Sequence, residues 1–422
     1  MPAATPVLFL VFALSGAAAL IFETLFFRLA GLALGNGVQA AAIVLFSFMS
    51  GLGLGNAIAA RFLRRTARPL LLFAVLELSV AAYAAGLIAL FPSLSSALAP
   101  LLRAAGETGP LLAALRLGLA SALFMAPAIA MGMTLPILVG ALSTADANFG
   151  RVLGRLYGWN TLGAVAGALL AERVLVASFG VAGAGIAAAS LDVAAALGAL
   201  WLRRAALPDG LGAADQRGDG APPDAGQWRL LAAAFLSGAI LLALEVVWFR
   251  FFLLFTPSLA WNLAVMLAVV LCGIGAGGIA GGLWFERRPD AERHAGAVAA
   301  AAGALVAGLY AGLAAGWPRI PDLPLVYVFA WLMLPVSCAS GLLFPLLGRA
   351  LERRGLAPTV ATARLALANT AGSALPAPWS AASCSCPAWA SNAPSSPWLC
   401  STGGWPCWRP APAASGRGAL RL

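Results

Sequence analysis

Residues Leu14–Arg28 read LSGAAALIFETLFFR, and residues Leu236–Arg250 read LSGAILLALEVVWFR. Aligned without gaps, the two stretches share eight of fifteen positions, among them Ser15/Ser237, Gly16/Gly238, Glu23/Glu245 and Arg28/Arg250. Apolar composition alone does not reproduce Ser, Gly, Glu and Arg in one order. The same offset of 222 residues pairs GLGLG (Gly51–Gly55) with GIGAG (Gly273–Gly277). Later, Pro127 and Pro136 correspond to Pro335 and Pro345, and Asn160-Thr161-x-Gly163 to Asn369-Thr370-x-Gly372. The chain is written from two copies of one pattern.

The medium follows from composition. The 422 residues are 61% hydrophobic and 10% charged, and the mean hydropathy is +0.91. A soluble domain carries about a quarter charged residues, so too little polar surface is present here to coat a globule in water. Lipid needs no such coat, and the chain reads as an all-α integral membrane protein with the bilayer as its first partner. The N-terminal apolar run, Val7 to Leu34, lacks a basic leader, contains Glu23 and Arg28, and is too long for a signal peptide. It reads as the first membrane helix.

A spanning helix needs about 20 mostly apolar residues. Spans are expected at 7–34, 38–60, 69–91, 111–142, 152–178, 180–202, 230–256, 260–285, 295–316, 325–349 and 361–375. The fourth holds Pro127 and Pro136, where a kink is expected and neighbouring helices must satisfy the freed backbone groups. Between the sixth and seventh lies RRAALPDGLGAADQRGDGAPPDAGQWR, residues 203–229, a polar Pro/Gly-rich linker. All 26 basic residues are arginine. Seventeen fall in one set of alternate loops and only Arg103 and Arg319 in the other. That bias places the first set, and the N-terminus, in the cytoplasm. The net charge of +10 is then a topology signal and a contact for lipid headgroups, and no nucleic-acid partner is expected.

Six spans separate the two copies of the opening motif, so both enter from one side. That is a parallel repeat of six-helix halves, the major facilitator arrangement. The divisions expected are a first transmembrane repeat (1–202), the linker (203–229), a second, incomplete repeat (230–375) and an aberrant tail (376–422).

Charges inside spans mark the candidate site. Glu23, Glu77 and Glu245, with Arg28, Arg116 and Arg250, lie within apolar runs, where each costs at least ~2.5–3.5 kcal/mol at the bilayer centre. Glu23 and Arg28 are five apart, about 140° around a helix, so each needs a partner on another helix. Symmetry suggests Glu23 with Arg250 and Glu245 with Arg28. Two meanings stay open: structural ion pairs locking the halves, or a cation or proton site. The small-residue runs Gly51–Gly55, Gly163–Gly167 and Gly273–Gly277 read as helix-packing surfaces. Asn160 and Asn369 read as interhelical hydrogen-bonding groups, with substrate contact as the lesser alternative. Gly273-x-Gly275-x-x-Gly278 matches a dinucleotide fingerprint in form, but no strand precedes it. With one histidine, no lysine and no metal-ligand spacing, neither a metal site nor a catalytic residue is expected.

After Leu375 the character changes. Residues 376–422 hold 5 of the 13 Trp, 4 of the 6 Cys and 8 of the 27 Pro. Reading the codons for Ala377–Ala393 one frame across makes an apolar stretch such as GALVSGFVLLPGLGIER available. The repeat demands a helix of that kind at this point. A shifted, disordered tail is therefore expected, and Cys384, Cys386, Cys400 and Cys407 lack zinc spacing.

At SGAAALIFETLFFRLAGLALGN, FMSGLGLGNAIAARFLRR, PAIAMGMTLPIL, LGRLYGWNTLGAVAGALLA and FLSGAILLALEVVWFR, the sequence resembles the membrane region of bacterial spermidine-synthase-like membrane proteins. The resemblance covers roughly residues 8–375. In that family a soluble aminopropyltransferase domain follows the helices and binds decarboxylated S-adenosylmethionine. None of that domain's motifs lies in this chain, so no catalytic residue is carried over and no cofactor is expected here. The resemblance implies a membrane module that anchors polyamine biosynthesis and moves polyamines or a related organic cation. A major-facilitator transporter of an unrelated solute and a purely structural anchor remain open beside it. Oligomeric state is not legible.

Overall fold

A computed structural model of the chain describes residues 4–34, 38–62, 68–104, 109–143, 146, 148–205, 223–253, 259–316 and 325–374. The expected tail (376–422), most of the linker and Arg217 lie outside these residues, as do Arg64 and Arg65. Eleven α-helices are present among the described residues: α1 Ala4–Leu34, α2 Val38–Phe62, α3 Pro69–Ala104, α4 Pro110–Ser143, α5 Phe149–Leu170, α6 Val176–Ala205, α7 Ala225–Leu253, α8 Leu259–Arg287, α9 Ala295–Gly316, α10 Leu325–Glu352 and α11 Pro358–Ala374. Among the described residues, nine stretches are long and apolar enough to cross a bilayer. One of them, Phe149–Arg204, has 56 residues, which as a single straight helix would be about 84 Å long. It turns instead at Gly180, whose φ of 67° and ψ of −174° belong to a region open essentially to glycine alone. A π-helical turn at Ala171–Leu175 precedes it.

The two halves repeat each other in space. In the first, α1 packs on α5 and α6, α2 on α4, and α3 on α6 and α4. In the second, α7 packs on α11, α8 on α10, and α9 on α10. The halves meet along two seams, α5 against α8 and α2 against α11, which are counterparts under the repeat. Glycines show the register atom by atom. A methyl group on Gly163 would overlap the Ala13 carbonyl, and one on Gly372 the Phe235 carbonyl. Gly55 meets the Ile129 carbonyl, and Gly277 the Cys338 carbonyl. Between membrane helices no hydrophobic force separates partner from lipid, so close backbone approach through small residues supplies the packing. Large apolar side chains such as Leu90, Phe179, Ile186 and Ile240 are correspondingly exposed on the outside. The chain is a multi-pass membrane protein in contact with the bilayer.

The end of one helix departs from expectation. α3 runs on to Ala104, thirteen residues past the expected stop at 91. Pro92 and the serines after it suggest a turn, yet Ser95 Oγ donates to the Pro92 carbonyl at 2.9 Å and Ser96 Oγ to the Ser93 carbonyl at 2.8 Å. Those side chains bond the helix's own backbone instead of ending it. α4 carries through both Pro127 and Pro136. Proline has no N–H, so Pro127 frees the carbonyl four residues before it, that of Leu123. Tyr83 of α3 donates its hydroxyl to that oxygen at 3.0 Å. Tyr83→Phe removes this bond and is expected to lower stability by about 1 kcal/mol. Thermal unfolding in detergent reads it, and an unchanged midpoint would refute the role given to Tyr83.

Candidate functional site

Glu23 on α1 and Glu245 on α7 are equivalent positions of the repeat, and both open into one cavity between the halves. Their helices are placed alike. Gly16, two turns before Glu23, lies against the backbone of Asn160 on α5, and Gly238, two turns before Glu245, against that of Asn369 on α11. The cavity holds about 210 Å³. Apolar lining comes from Leu20, Met49, Leu241, Val270 and Phe344, among others. Polar lining comes from Tyr157, Ser237, Ser340, Asn369, Thr370 and Ser373, and the two glutamates are the only charged groups among the lining residues. Glu245 lies within coulombic reach of Glu23 and of Tyr157. Ser237 and Ser340 hydroxyls are 3.3 Å apart, and Asn369 Nδ2 donates to the Ala234 carbonyl at 3.2 Å. Asn369 is thus both an interhelical link and a lining residue.

The sequence-level pairing of Glu245 with Arg28 is corrected here. Arg28 Nε donates to Glu172 Oε1 at 2.9 Å, and the second guanidinium nitrogen pairs with the other oxygen of Glu172. Arg28 points away from the face that carries Glu23, toward the π turn where α5 ends. Its partner is therefore in the same half. The side chain of Arg250 lies outside the described residues. Among the described residues, no arginine forms an ion pair with Glu23 or Glu245. Glu77 is not part of this cavity: it is buried between α1, α3 and α6. Arg116, on the first turns of α4, is likewise not among the lining residues.

The remaining polar candidates act as packing elements. Gly163 and Gly167 on α5 lie against the Ala13 and Ala17 carbonyls of α1. Gly275 and Gly278, inside the spurious fingerprint, lie mid-α8 against Gly158 and Gly154 of α5.

That α5–α8 seam closes the arginine-rich face. Arg155 pairs with Glu286, Arg151 reaches Glu286 at 3.9 Å and Asp146 at 2.5 Å, and Asn148 Nδ2 donates to the Phe285 carbonyl at 3.0 Å. Deeper along α5, the Tyr157 ring stacks on Phe344 of the other half, with centroids 4.2 Å apart and planes 16° apart. This stack floors the cavity and crosses the seam. Glu286 forms ion pairs with two arginines, so Glu286→Gln is expected to loosen the closure. Part-exposed pairs are worth about 1 kcal/mol at most each, a factor of about five in the open population. A cysteine at Leu365, which is fully buried, would then react several-fold faster with an impermeant maleimide from that face, and an equal rate would refute the closure.

Asp192, Glu172 and Tyr157 were not singled out from sequence. The first two are acids within apolar runs, so the rule that found Glu77 applies to them equally. Tyr157 carried no such signal.

Neither a sequence-family model nor a curated protein matches the chain. Solved structures do. A bacterial homologue of the iron transporter ferroportin, outward-facing with soaked iron, matches with a TM-score of 0.52 and 14% identity over 89% of this chain and 97% of that one. The fold is major-facilitator-like. The human organic anion transporter MFSD10 (TETRAN) also matches, at a TM-score of 0.48 and 17% identity over 88% of this chain and 92% of that one. At such identities the likeness concerns fold alone. The helices of this chain form two parallel halves, six in the first and five described in the second.

Proposed function

We propose that this chain is a transporter-like membrane module that admits a slender organic cation, of the diamine or polyamine class, to the cavity between its halves. On this reading it forms the membrane part of a spermidine-synthase-like system. It would lie in a bacterial cytoplasmic membrane with its arginine-rich face and N-terminus inside. The observation that carries the reading is the pair of glutamates at equivalent positions of the repeat, facing one cavity whose described lining residues include no arginine. An anion would meet two like charges there, whereas a cation finds two acceptors. The size agrees as well. Sites for drug-sized ligands run to about 300–1,000 Å³, and this one, at about 210 Å³, suits a narrow chain better than a ring system. Apolar walls between the charged ends match the methylene segments of a polyamine. Transport would proceed by rocking the halves about this midplane site, as parallel-repeat carriers do, with the α5–α8 seam opening as the opposite end closes.

Uptake of labelled spermidine into proteoliposomes tests the reading. Accumulation above protein-free vesicles is expected, competed by putrescine and not by a neutral sugar or a carboxylate. Uptake equal to that of empty vesicles would leave a structural anchor, and competition by an unrelated solute alone would make that solute the cargo.

A further inference from the structure

A second polar centre lies inside the first half, apart from the central cavity. It consists of Glu77 on α3, Asp192 on α6 and Ser15 on α1, which are 4%, 2% and 7% exposed. Ser15 Oγ donates to Glu77 Oε1 at 2.8 Å, and the Glu77 and Asp192 carboxyls lie within hydrogen-bonding reach of each other. An ionised carboxylate has acceptors only. A hydrogen bond between the two carboxyls is therefore possible only with a hydrogen on one of them. Asp192 Oδ2 is buried with no hydrogen-bond partner among the described residues. A fully ionised pair would leave that oxygen charged and unsolvated beside a like charge.

The charged groups on the packed helices do not relieve this. On α1, Glu23 stands eight residues past Ser15, about 12 Å along the axis, and Arg28 lies further on, committed to Glu172. On α6, Arg203 and Arg204 stand eleven and twelve residues past Asp192, about 16–18 Å away along the axis. Glu172 and Arg173 lie on the π turn before Gly180, toward the other end of α6. On α4, the Tyr83–Leu123 bond sets the register against α3, leaving Arg116 near the far end of the helix.

The second half shows that the fold does not require this centre. α9, the counterpart of α3, reads AGAVAAAAGALVAGLYAGLAAG and holds no acid. Ser237, the counterpart of Ser15, faces the cavity and meets Ser340 instead.

We propose that the Glu77–Asp192 pair is a proton-binding site within the first half, holding one proton between its two carboxyls with the Ser15 hydroxyl as the second donor. Release breaks one O–H bond, passes the proton to water and leaves two facing anions. α3 and α6 are then pushed apart, and the Ser15 link to α1 is altered. Because α1 also carries Glu23, the site is placed to couple a proton to whatever the cavity holds. Its occupancy does not depend on the identity of that cargo.

Infrared difference spectroscopy of the full chain in lipid tests this, in an E23Q/E245Q background so that the cavity acids are silent. A protonated-carboxyl C=O band is expected at neutral pH, removed as the pH is raised, lost in both E77Q and D192N, and shifted to higher frequency in S15A. The S15A reading stands even where an amide variant does not fold. The absence of the band at neutral pH overturns the proposal, as does a band indifferent to all three changes. A titration midpoint that moves when sodium replaces choline at constant ionic strength overturns it in favour of a metal-cation site. None of these outcomes bears on spermidine uptake by the unaltered chain, so failure here and failure of the cation-carrier reading are distinguishable.

Discussion

Replacing Glu23 and Glu245 together with glutamine is expected to abolish spermidine retention while making the empty protein more resistant to heat. The first effect follows from charge-assisted hydrogen bonds, worth about 1.5–3 kcal/mol each. Losing two weakens binding about a hundredfold or more, since each ~1.4 kcal/mol is tenfold. The second effect follows from geometry. Both carboxylates line one cavity within coulombic reach of each other, with no arginine ion pair among the described residues. Empty, they repel in a weakly solvated space, and uncharged amides of the same shape relieve that. A structural ion pair behaves in the opposite way, because removing one partner leaves a buried charge unmatched and costs about 3–5 kcal/mol. The signs therefore separate the two meanings that sequence alone left open. Equilibrium binding of labelled spermidine and thermal unfolding, measured on the same preparation, read both. Single variants E23Q and E245Q are expected to lose similar amounts, because they occupy equivalent positions. A double variant that unfolds at lower temperature than its parent would return the pair to a structural role.

How much of this was legible depends on what the repeat encodes. The offset of 222 residues between Leu14–Arg28 and Leu236–Arg250 carries over directly into contacts. Ala13 and Phe235, which share that offset, receive Gly163 and Gly372. Helix positions were legible because apolar length is a property of a segment. Partners of the buried charges were not, because pairing is a property of faces. Periodicity tells that Arg28 and Glu23 point apart, but not which neighbour each meets. Glu172 lies 144 residues from Arg28 in the chain, on a π turn that no residue pattern announced. The far end of α3 was misjudged for a related reason: Pro92 and Ser93–Ser96 are turn formers by local chemistry, and in the packed bundle their hydroxyls find the preceding turn of the same helix. The cavity itself combines both cases. Glu23 and Glu245 were visible as intramembrane acids, but their joint exposure to one space depends on how α1 and α7 are rotated. Gly16 and Gly238 determine that rotation by their approach to α5 and α11.

Gly163→Ala is expected to destabilise the protein, whereas the same change at Gly303 is expected to be neutral or stabilising. Alanine is the better helix former by about 1 kcal/mol, so in an open position the change should help. Gly303, on α9, has nothing within 4 Å of the place a Cβ would take. At Gly163 that Cβ would sit on the carbonyl oxygen of Ala13, with the carbonyl carbon at 2.6 Å. Both obstacles are backbone, held in a helix that cannot turn aside as a side chain can. The helices must separate, and α1 leaves α5 along the line that also seats Gly16 and Gly167. Overpacking of this sort costs about 1–3 kcal/mol or more, which outweighs the propensity gain. Gly372→Ala on α11, against the Phe235 carbonyl, is expected to match Gly163→Ala, because the two are one contact repeated. Half-lives of folded protein at elevated temperature in detergent measure the effects even where unfolding is irreversible. Gly163→Leu should extend the trend to failure of the folded protein to accumulate in the membrane. Since the rotation of α1 also aims Glu23, the milder Gly163→Ala variant should weaken spermidine retention along with stability, and Gly303→Ala should leave it unchanged. A Gly163→Ala protein as long-lived as its parent would mean that α1 and α5 do not approach as closely as described, and the placement of Glu23 in the cavity would fall with that contact.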